Sequence, residues 1–378
     1  MRILQLGKFY PIRGGVEKVM WNLTRGLSAR GVDCDMLCAS LSSGRTDPQD
    51  IGFEQPDGTL RFNGHGRVIR VKALAKKAAT MISPEMISWL RRHKAEYDII
   101  HIHHPDPMAA LALRMCGFRG KVVLHWHSDI VSQKALLTLY RPLQGWLVRR
   151  ADIIVGTTPA YIKSSPWLRE VQPKCTYVPI GIQPVTVDSA GASALRERFP
   201  GKTIILSVGR LVPYKGYPVL IRSMKYLPEK YQLVIGGSGP MRKELEELID
   251  SENLRERVCL DGYISDEALP AYYGACDVFV LSSIMKTEAF GIVQIEAMSQ
   301  GKPVVATIIP GSGVSWVNED GVSGKNVTPG NPRAMADAIE DVMSNYRSFS
   351  AGARSRFDEL FSEEKMINSI LKIYEALV

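Results

Sequence analysis

The chain has 378 residues, of which 45% are hydrophobic and 23% are charged, the composition of a soluble globular protein with enough apolar residues for two cores. No apolar stretch approaches the length of a membrane span. Six cysteines with no close spacing except that of Cys34 and Cys38 argue for reduced thiols in a cytoplasmic setting. The net charge of +8 is uneven: residues 1–150 contain 23 Lys and Arg against 12 Asp and Glu, whereas residues 151–378 contain 24 against 27. We therefore expect the first part to meet an anionic partner such as phosphate, lipid or nucleic acid.

The first residues, 1–7, form a strand pattern at once, which predicts no signal peptide. Apolar runs then alternate with helical patterns, which predicts α/β domains with parallel sheets. Candidate strands in the first half are 2–7, 34–39, 68–71, 98–104, 121–127, 152–156 and 176–180. The pattern restarts at 203–209 and continues with 232–236, 258–261, 277–281, 303–307 and 325–327, so we predict a domain boundary near residue 185. An amphipathic helix over 363–378 ends the chain.

The first strand is followed by Gly14 and Gly15, which open a helix. Paired glycines let the backbone approach a phosphate, and a helix N-terminus offers N–H donors to an anion. A tight strand-to-helix turn needs glycine in any case. The spacing also differs from the dinucleotide fingerprint, so a nicotinamide cofactor is not favoured.

A basic stretch covers residues 67–94, with Met81, Met86, Trp89 and Leu90 among its apolar positions. This pattern fits contact with an anionic bilayer surface, and it also fits an ordinary helix whose cationic face is solvated. No zinc-finger, aromatic RNA-binding or helix-turn-helix pattern accompanies the charge, so we predict no nucleic-acid partner.

Histidines gather at the ends of the fourth and fifth predicted strands: His101, His103 and His104, then His125 and His127. Alternation along a strand places His101 and His103 on one face. Such a group raises the question of zinc, but no carboxylate or cysteine completes an evident site, so we predict no metal and expect core or hydrogen-bonded histidines. A histidine at a strand end can also orient a substrate hydroxyl.

Two cations, Arg210 and Lys215, follow the first strand of the second domain. Cations at the carboxyl end of a strand can hold a pyrophosphate and neutralise a leaving group. Solvated loop cations are the commoner explanation of such a pair by itself, although Gly209 and Gly216 beside it favour a site. The next strand ends in residues 236–240, a glycine-rich turn that can also cradle a ligand.

Two carboxylates, Glu288 and Glu296, are eight positions apart around a short apolar segment interrupted by glycine. The first follows a buried strand pattern, and the second belongs to the next helix. Ligands of open α/β sheets bind beyond the carboxyl ends of the strands, where carboxylates can accept hydrogen bonds from hydroxyls. The pair therefore indicates a hydroxyl-rich ligand, such as a sugar or a ribose.

With these motifs in this order, the chain resembles glycosyltransferase family 4, which has the GT-B fold, over essentially its whole length. The resemblance is carried by Gly14-Gly15-Val16-Glu17, His127, Arg210 with Lys215-Gly216, residues 236–240, and the pair Glu288 and Glu296 as an E-x7-E motif followed by Ala-Met-Ser-Gln-Gly-Lys-Pro-Val-Val. It implies two Rossmann-like domains facing a cleft. The acceptor-binding domain would cover 1–185 and the nucleotide-sugar-binding domain 186–362, with the helix from 363 crossing back to the first.

The resemblance also implies residue roles. Arg210 and Lys215 would bind the donor diphosphate, Glu288 the hydroxyls of the donor sugar, Glu296 the ribose, and His127 would face the reacting sugar. The residues implied as catalytic are Glu288, His127, Arg210 and Lys215. The residues implied as donor-binding are Gly14, Gly15, Arg210, Lys215, Gly237, Ile264, Glu288, Phe290, Gly291, Ile292 and Glu296.

The implied reaction is a retaining, metal-independent transfer of a hexose or N-acetylhexosamine, with no cofactor and with a UDP-sugar favoured over a GDP-sugar. We expect a polyprenyl-diphosphate-linked saccharide acceptor in the synthesis of a bacterial surface polysaccharide such as O-antigen, since that acceptor and the bilayer are anionic. The enzyme would then be cytoplasmic and peripheral to the inner face of the plasma membrane. The alternatives are a soluble transferase on a small acceptor, a UDP-sugar epimerase of the GT-B fold, and a non-catalytic nucleotide-sugar binder.

Overall fold

A computed structural model describes residues 1–10, 12, 14–41, 53–54, 60–62, 65–77, 80–130 and 134–378. The chain divides into two compact units. The first unit comprises Met1–Gly181 and Glu363–Val378, and the second comprises Ile182–Ser362. The division after Gly181 falls slightly before residue 185, where the sequence places the boundary, and the C-terminal segment belongs to the first unit.

The first unit is built on a nine-stranded sheet. The strands of this unit are β1 Arg2–Tyr10, β2 Asp33–Ser40, β3 Phe53–Glu54, β4 Leu60–Phe62, β5 Gly66–Lys72, β6 Ala75–Lys77, β7 Thr80–Ile82, β8 Ile99–His104, β9 Lys121–Trp126, β10 Ile153–Gly156 and β11 Cys175–Tyr177. The order across the sheet is β11-β10-β9-β8-β1-β2-β5-β4-β3, with β3 and β4 as an antiparallel edge. Strands β6 and β7 form a separate hairpin.

The helices of the first unit are α1 Gly15–Ser28, α2 Pro84–His93, α3 Pro107–Cys116, α4 Lys134–Arg150, α5 Pro159–Ser164 and the C-terminal helix Glu363–Glu375. Three of them begin with a side-chain cap followed by proline, the arrangement that satisfies free N–H groups at a helix start. The C-terminal helix buries Met366, Ile370 and Tyr374. Its Glu363 accepts from Arg25 of α1 at 2.8 Å, so packing and an ion pair hold the end of the chain to this unit.

The second unit has a six-stranded, fully parallel sheet. Its strands are β12 Thr203–Val208, β13 Tyr231–Gly236, β14 Val258–Gly262, β15 Val278–Leu281, β16 Val304–Thr307 and β17 Gly324–Val327, in the order β14-β13-β12-β15-β16-β17. Its helices are α6 Ser189–Glu197, α7 Tyr217–Ser223, α8 Arg242–Ser251, α9 Leu269–Ala275, α10 Ile292–Ser299, α11 Val314–Val317, α12 Pro332–Ser344 and α13 Tyr346–Arg356.

The strand order reverses once in each of the parallel cores. In the second unit the reversal lies between β12 and β15, and in the first unit it lies between β1 and β8. At such a point the connections leave toward opposite sides and open a crevice at the carboxyl ends of the strands. Central strands are buried on both faces, as the continuous apolar runs of β12 and β15 require. The loops after β12 and β15 therefore border the crevice of the second unit, and those after β1 and β8 border the crevice of the first.

Residues 67–94 form β5, the hairpin and α2 rather than one long helix. The apolar side chains of Met81, Met86 and Leu90 are buried, so they belong to the core and do not form a bilayer-facing surface. Exposed apolar side chains occur instead at Leu74 and Ile82, which are 67% and 41% exposed. Across the described part of the chain, no helix combines the length and apolar character needed to cross a membrane.

Candidate functional site

The loops after β12 and β15 meet because these strands are neighbours in the sheet of the second unit. The loop after β12 carries Lys215, and the loop after β15 carries Glu288. The backbone N–H of Ile284 donates to the carbonyl of Tyr214 at 2.8 Å, and the hydroxyl of Ser282 donates to the carbonyl of Lys215 at 2.9 Å. Residues far apart in sequence are thereby fixed at one sheet edge.

Lys215 and Glu288 form an ion pair in which Nζ lies 2.6 Å from Oε2, with side chains only 10% and 13% exposed. The hydroxyl of Ser283 donates to the same carboxylate oxygen at 3.0 Å. A nearly buried ion pair is weak evidence for stability, because desolvation offsets much of the attraction. The pair instead places an ammonium group, and a carboxylate that can accept hydrogen bonds from hydroxyls, at the carboxyl edge of the sheet.

Glycine is required where these loops approach one another. Gly216 has a φ of +68°, and a Cβ at this position would lie 2.1 Å from the carbonyl oxygen of Ser282. Gly237, which follows β13, would place a Cβ 1.8 Å from the carbonyl oxygen of Gly209. A side chain at Gly216 would push the loop after β12, which carries Arg210 and Lys215, away from the loop after β15, and one at Gly237 would push it away from the loop after β13.

Glu296 lies on α10 and has a buried partner that sequence reasoning missed. The hydroxyl of Tyr273 on α9 donates to Oε2 of Glu296 at 2.6 Å. Burial, and next the charge of Glu296, raise the pKa of Tyr273 well above its ordinary value, so the phenol keeps its proton and remains a donor. Tyr273 therefore holds the Glu296 carboxylate in one orientation.

The remaining residues of the second unit that the motifs single out lie in different surroundings. Arg210 is exposed, and its guanidinium donates to the hydroxyl of Tyr214 at 3.4 Å. The Phe290 ring is buried edge-to-face against Phe361, with ring centroids 5.9 Å apart. Ile264 is also buried. Gly291 has a φ of +75° and precedes Ile292 at the start of α10, where no side chain caps the first turn. The N–H groups there remain suited to an anion.

In the first unit, Gly14 precedes α1 in an extended conformation, without a side-chain cap, and Gly15 is the exposed first residue of that helix. The turn therefore leaves helix N–H groups at the end of β1, as the sequence suggests. Nothing else in the described residues assigns it a ligand.

His127 is buried just beyond β9, and its neighbours are other histidines. Its Nε2 lies 2.9 Å from Nδ1 of His103, and its ring stacks on that of His125 with centroids 4.1 Å apart. Desolvation lowers the pKa of each of these histidines, that of His125 to about 3, so all are neutral near pH 7. His104 lies apart from them and stacks on Trp126.

His101, His103 and His125 offer ring nitrogens within 4.8 Å of one another, which makes them the candidate metal ligands of the first unit. Their planes are nearly parallel, with angles between 12° and 25°, so the lone pairs do not converge. Both nitrogens of His103 also have hydrogen-bond partners. A metal would have to break this network, and the expectation of a metal-free protein remains a prediction.

The partners of these side chains are the part of the site that motifs do not reveal. Tyr273 and Ser283 support Glu296 and Glu288, and Gln5 and Tyr374 contact the histidines. One signal was present in the sequence: Gln5 interrupts the apolar run of Ile3, Leu4 and Leu6, and a buried polar residue needs a partner.

Both parts of the chain match known glycosyltransferase families. Residues 195–359 match the family model "Glycosyl transferases group 1", and residues 13–184 match "Glycosyltransferase Family 4". The chain is 30% identical to the O-antigen chain mannosyltransferase C of Escherichia coli, with 100% of this chain and 99% of that protein covered. It is also 30% identical to the D-rhamnosyltransferase WbpZ of Pseudomonas aeruginosa, with coverage of 96% and 92%.

Solved structures show the same fold. The sucrose-phosphate synthase of Thermosynechococcus elongatus superimposes with a TM-score of 0.78 at 24% identity, over 100% of this chain and 99% of that one. HepE of Anabaena, solved in complex with UDP, superimposes with a TM-score of 0.78 at 21% identity over 100% of both chains. With matching models in both halves and relatives aligned over nearly the whole length, the chain belongs to the GT-B glycosyltransferases of family 4 and group 1.

Proposed function

We propose that this protein is a retaining glycosyltransferase that moves a hexose or N-acetylhexosamine from a nucleotide sugar to a polyprenyl-diphosphate-linked saccharide in bacterial O-antigen synthesis. The observation that carries the proposal is the ion pair of Lys215 and Glu288 at the carboxyl edge of the second sheet, in a chain of this family. A cation for a diphosphate and a carboxylate for sugar hydroxyls are the two groups that a nucleotide sugar requires at its reacting end.

The donor is expected to bind the second unit. Lys215, Arg210 and the uncapped first turn of α10 supply positive charge and N–H donors for the diphosphate. Glu296, held by Tyr273, offers an acceptor for the ribose hydroxyls. Complexes of HepE with UDP and with UDP-glucose favour a UDP-sugar. The relatives that transfer mannose and D-rhamnose keep a GDP-sugar as the second candidate.

In the proposed reaction, the bond between the anomeric carbon and the diphosphate oxygen breaks while the acceptor hydroxyl forms the new glycosidic bond. The barrier falls mainly because Lys215 and backbone dipoles stabilise the charge that develops on the departing diphosphate. That diphosphate can take the acceptor's proton, which would let the acceptor enter on the same face and retain the configuration. A covalent sugar trapped on Glu288 would contradict this route.

The acceptor is expected at the first unit, whose charge is strongly positive. At the β6–β7 hairpin and the residue before it, the side chains of Leu74, Lys76, Lys77 and Ile82 are exposed. Apolar side chains beside cations suit the surface of an anionic bilayer, so the hairpin replaces the buried side chains of α2 as the proposed membrane contact. This proposal makes the enzyme a peripheral protein of the cytoplasmic membrane face.

A donor screen tests the proposal. The intact protein is heated with UDP-glucose, UDP-N-acetylglucosamine, UDP-galactose and GDP-mannose, and each shift in melting temperature is measured. The donor with the largest shift is then supplied in radiolabelled form with a polyprenyl-diphosphate-linked saccharide. Labelled glycolipid with the donor's anomeric configuration is the expected product.

The other outcomes separate the alternatives. Transfer to soluble sugars but not to the glycolipid would support a small-acceptor transferase, and conversion of the donor into its epimer would support an epimerase. Donor binding without turnover would leave a nucleotide-sugar binder. Failure to sediment with phosphatidylglycerol vesicles at physiological salt, or equal sedimentation of a Lys76→Glu/Lys77→Glu variant, would refute the membrane contact.

A further inference from the structure

A row of polar side chains crosses the sheet of the first unit. Gln5 on β1 pairs in register with His101 on β8, and His103 pairs with His125 on β9. Because alternate residues share a face, these four side chains and His127 lie on the same face of the sheet. All five are at most 4% exposed, and a buried polar atom is seldom left without a partner. Among the described residues, Nε2 of His101, both ring nitrogens of His125 and Nδ1 of His127 have none.

The row is joined by hydrogen bonds from the C-terminal helix to His127. The hydroxyl of Tyr374 lies 2.9 Å from Nε2 of Gln5 and also contacts Nδ1 of His101. Oε1 of Gln5 lies 2.7 Å from Nε2 of His103, and Nδ1 of His103 lies 2.9 Å from Nε2 of His127. We call Tyr374, Gln5, His103 and His127 the histidine relay.

The position of each proton in the relay follows from the glutamine. In the structure Nε2 of Gln5 donates to the oxygen of Tyr374 and to the sulfur of Cys34, and its carbonyl oxygen accepts from Nε2 of His103. His103 then carries its proton on Nε2. This ring is fully buried and neither of its hydrogen-bond partners, Gln5 and His127, is a carboxylate, so it is neutral. Its Nδ1 is therefore bare and accepts from Nε2 of His127, which lies 2.9 Å away. His127 therefore has its proton on Nε2 and a free lone pair on Nδ1.

That lone pair has no partner. Nδ1 of His127 is buried and makes no hydrogen bond within the described residues. Buried polar atoms in native proteins are nearly always paired, so an orphaned acceptor in a networked ring calls for a donor from outside the protein. A sugar hydroxyl is such a donor, whereas the acceptor oxygens of a carboxylate or a diphosphate are not.

We propose that Gln5 and His103 are positioning residues that hold His127 in its Nε2–H tautomer, so that Nδ1 accepts a hydrogen bond from a hydroxyl of a sugar bound by the first unit. The sugar part of this inference rests on the proposed function, whereas the tautomer does not. Tyr374 completes the relay, so the C-terminal helix helps to fix the tautomer of His127, which lies 247 positions earlier in the sequence.

The tautomer is measured directly by NMR of the intact protein with ¹⁵N-labelled histidine, since protonated and bare ring nitrogens differ widely in chemical shift. The expected result for His127 is a protonated Nε2 and a bare Nδ1, and for His103 the same pattern. A proton on Nδ1 of both rings, which is the reversed polarity of the relay, would overturn the proposal without any variant.

A pair of matched variants tests the control by Gln5. Gln5→Leu removes the acceptor of His103, and we expect His127 to become a mixture of tautomers and kcat to fall roughly tenfold, about the value of one hydrogen bond. Gln144→Leu makes the same change at a buried glutamine of α4 outside the relay, and it should alter neither the tautomer of His127 nor kcat. Unchanged His127 shifts in folded Gln5→Leu would refute the positioning role.

Tyr374→Phe provides a second route if Gln5→Leu does not fold, because it frees the Gln5 amide to turn while leaving all the histidines in place. It should produce the same mixture of His127 tautomers, and an unmixed His127 would again count against the relay. The two proposals fail separately. A correct tautomer without sugar transfer from any donor would refute the function alone, whereas transfer with the reversed tautomer would refute the relay alone.

Discussion

The two units present different kinds of side chain at the carboxyl edges of their sheets. The second unit places charged groups at its sheet edge and pairs them with each other, as in the 2.6 Å contact of Lys215 with Glu288. The first unit places neutral histidines there, and among the residues that the structure describes several of their ring nitrogens have no hydrogen-bond partner. The charged pair suits a diphosphate and the neutral rings suit hydroxyls, so under the proposed function each unit would bind a different part of the reactants.

The largest expected effect is on stability in acid. Burial lowers the pKa of five histidines in the first unit: His101, His103, His104, His125 and His127. Below about pH 6.5 these side chains are therefore protonated in the unfolded chain but remain neutral in the folded unit. The stability that these groups contribute is complete above about pH 6.5 and is lost as the pH falls below it, at about 1.4 kcal/mol per pH unit for each histidine. When unfolding in urea is monitored by hydrogen exchange, the free energy of unfolding of the first unit should fall steeply between pH 6.5 and 5.

The second unit is the internal control for this prediction, because all seven histidines of the chain lie at or before His127. Peptides from Ile182–Ser362 should keep their protection across the same pH range. An equal loss of protection in both units would contradict the prediction that acid destabilises the first unit selectively.

The charged side of the comparison is tested by Lys215→Ala. Loss of the cation that offsets diphosphate charge should reduce turnover by about 100-fold or more. Lys225→Ala is the matched control, since its ammonium is 53% exposed and pairs with Glu252 in the same unit. Initial rates with the best donor decide the matter, and a Lys215→Ala rate within threefold of the wild type would contradict the assignment.

A smaller effect is expected for Tyr273→Phe, which removes the hydrogen bond to Glu296 but keeps the ring. Binding of a nucleoside diphosphate should weaken roughly tenfold, as for one hydrogen bond to a charged group. Calorimetry with the ribose nucleotide and its 2′,3′-dideoxy analogue separates this role from a structural one, because only the ribose form should lose affinity. Tyr272→Phe, whose hydroxyl bonds to Asp261, is the control.

The smallest effect concerns the helix that completes the first unit. Glu363→Gln weakens the partly exposed ion pair with Arg25 and should lower the stability of the C-terminal helix by roughly 1 kcal/mol. Hydrogen exchange over 363–375 measures the change, and Glu364→Gln on the exposed side is the control. Equal exchange in the two variants would show that apolar packing alone holds the helix.

Much of the fold could be predicted because buried parallel strands are continuous apolar runs. The predicted strands 2–7, 203–209 and 303–307 correspond to Arg2–Tyr10, Thr203–Val208 and Val304–Thr307. The β6–β7 hairpin was missed because three-residue strands leave no period to detect. Its place in the basic stretch also explains why Met86 and Leu90 were wrongly considered for a bilayer surface, since alternation of charge and apolar residues does not reveal which face is buried.

The motifs located Lys215, Glu288 and His127, but not the side chains that hold them. Tyr374 and Gln5 are 369 positions apart, and Tyr273 reaches Glu296 from another helix. These contacts depend on the folded path of the chain, so no local spacing encodes them. Loop glycines were visible in the sequence, but the need for glycine at Gly216 follows only from the carbonyl of Ser282 that lies against it.

The central claim is that the second unit binds the donor through the loops after β12 and β15. Hydrogen exchange of the intact protein with and without saturating UDP, and in parallel GDP, tests it most directly. We predict that the better ligand protects residues 209–217 and 288–296, and that this protection disappears in Lys215→Ala but not in Lys225→Ala. Protection confined to the first unit, or no protection by either nucleotide, would contradict the account.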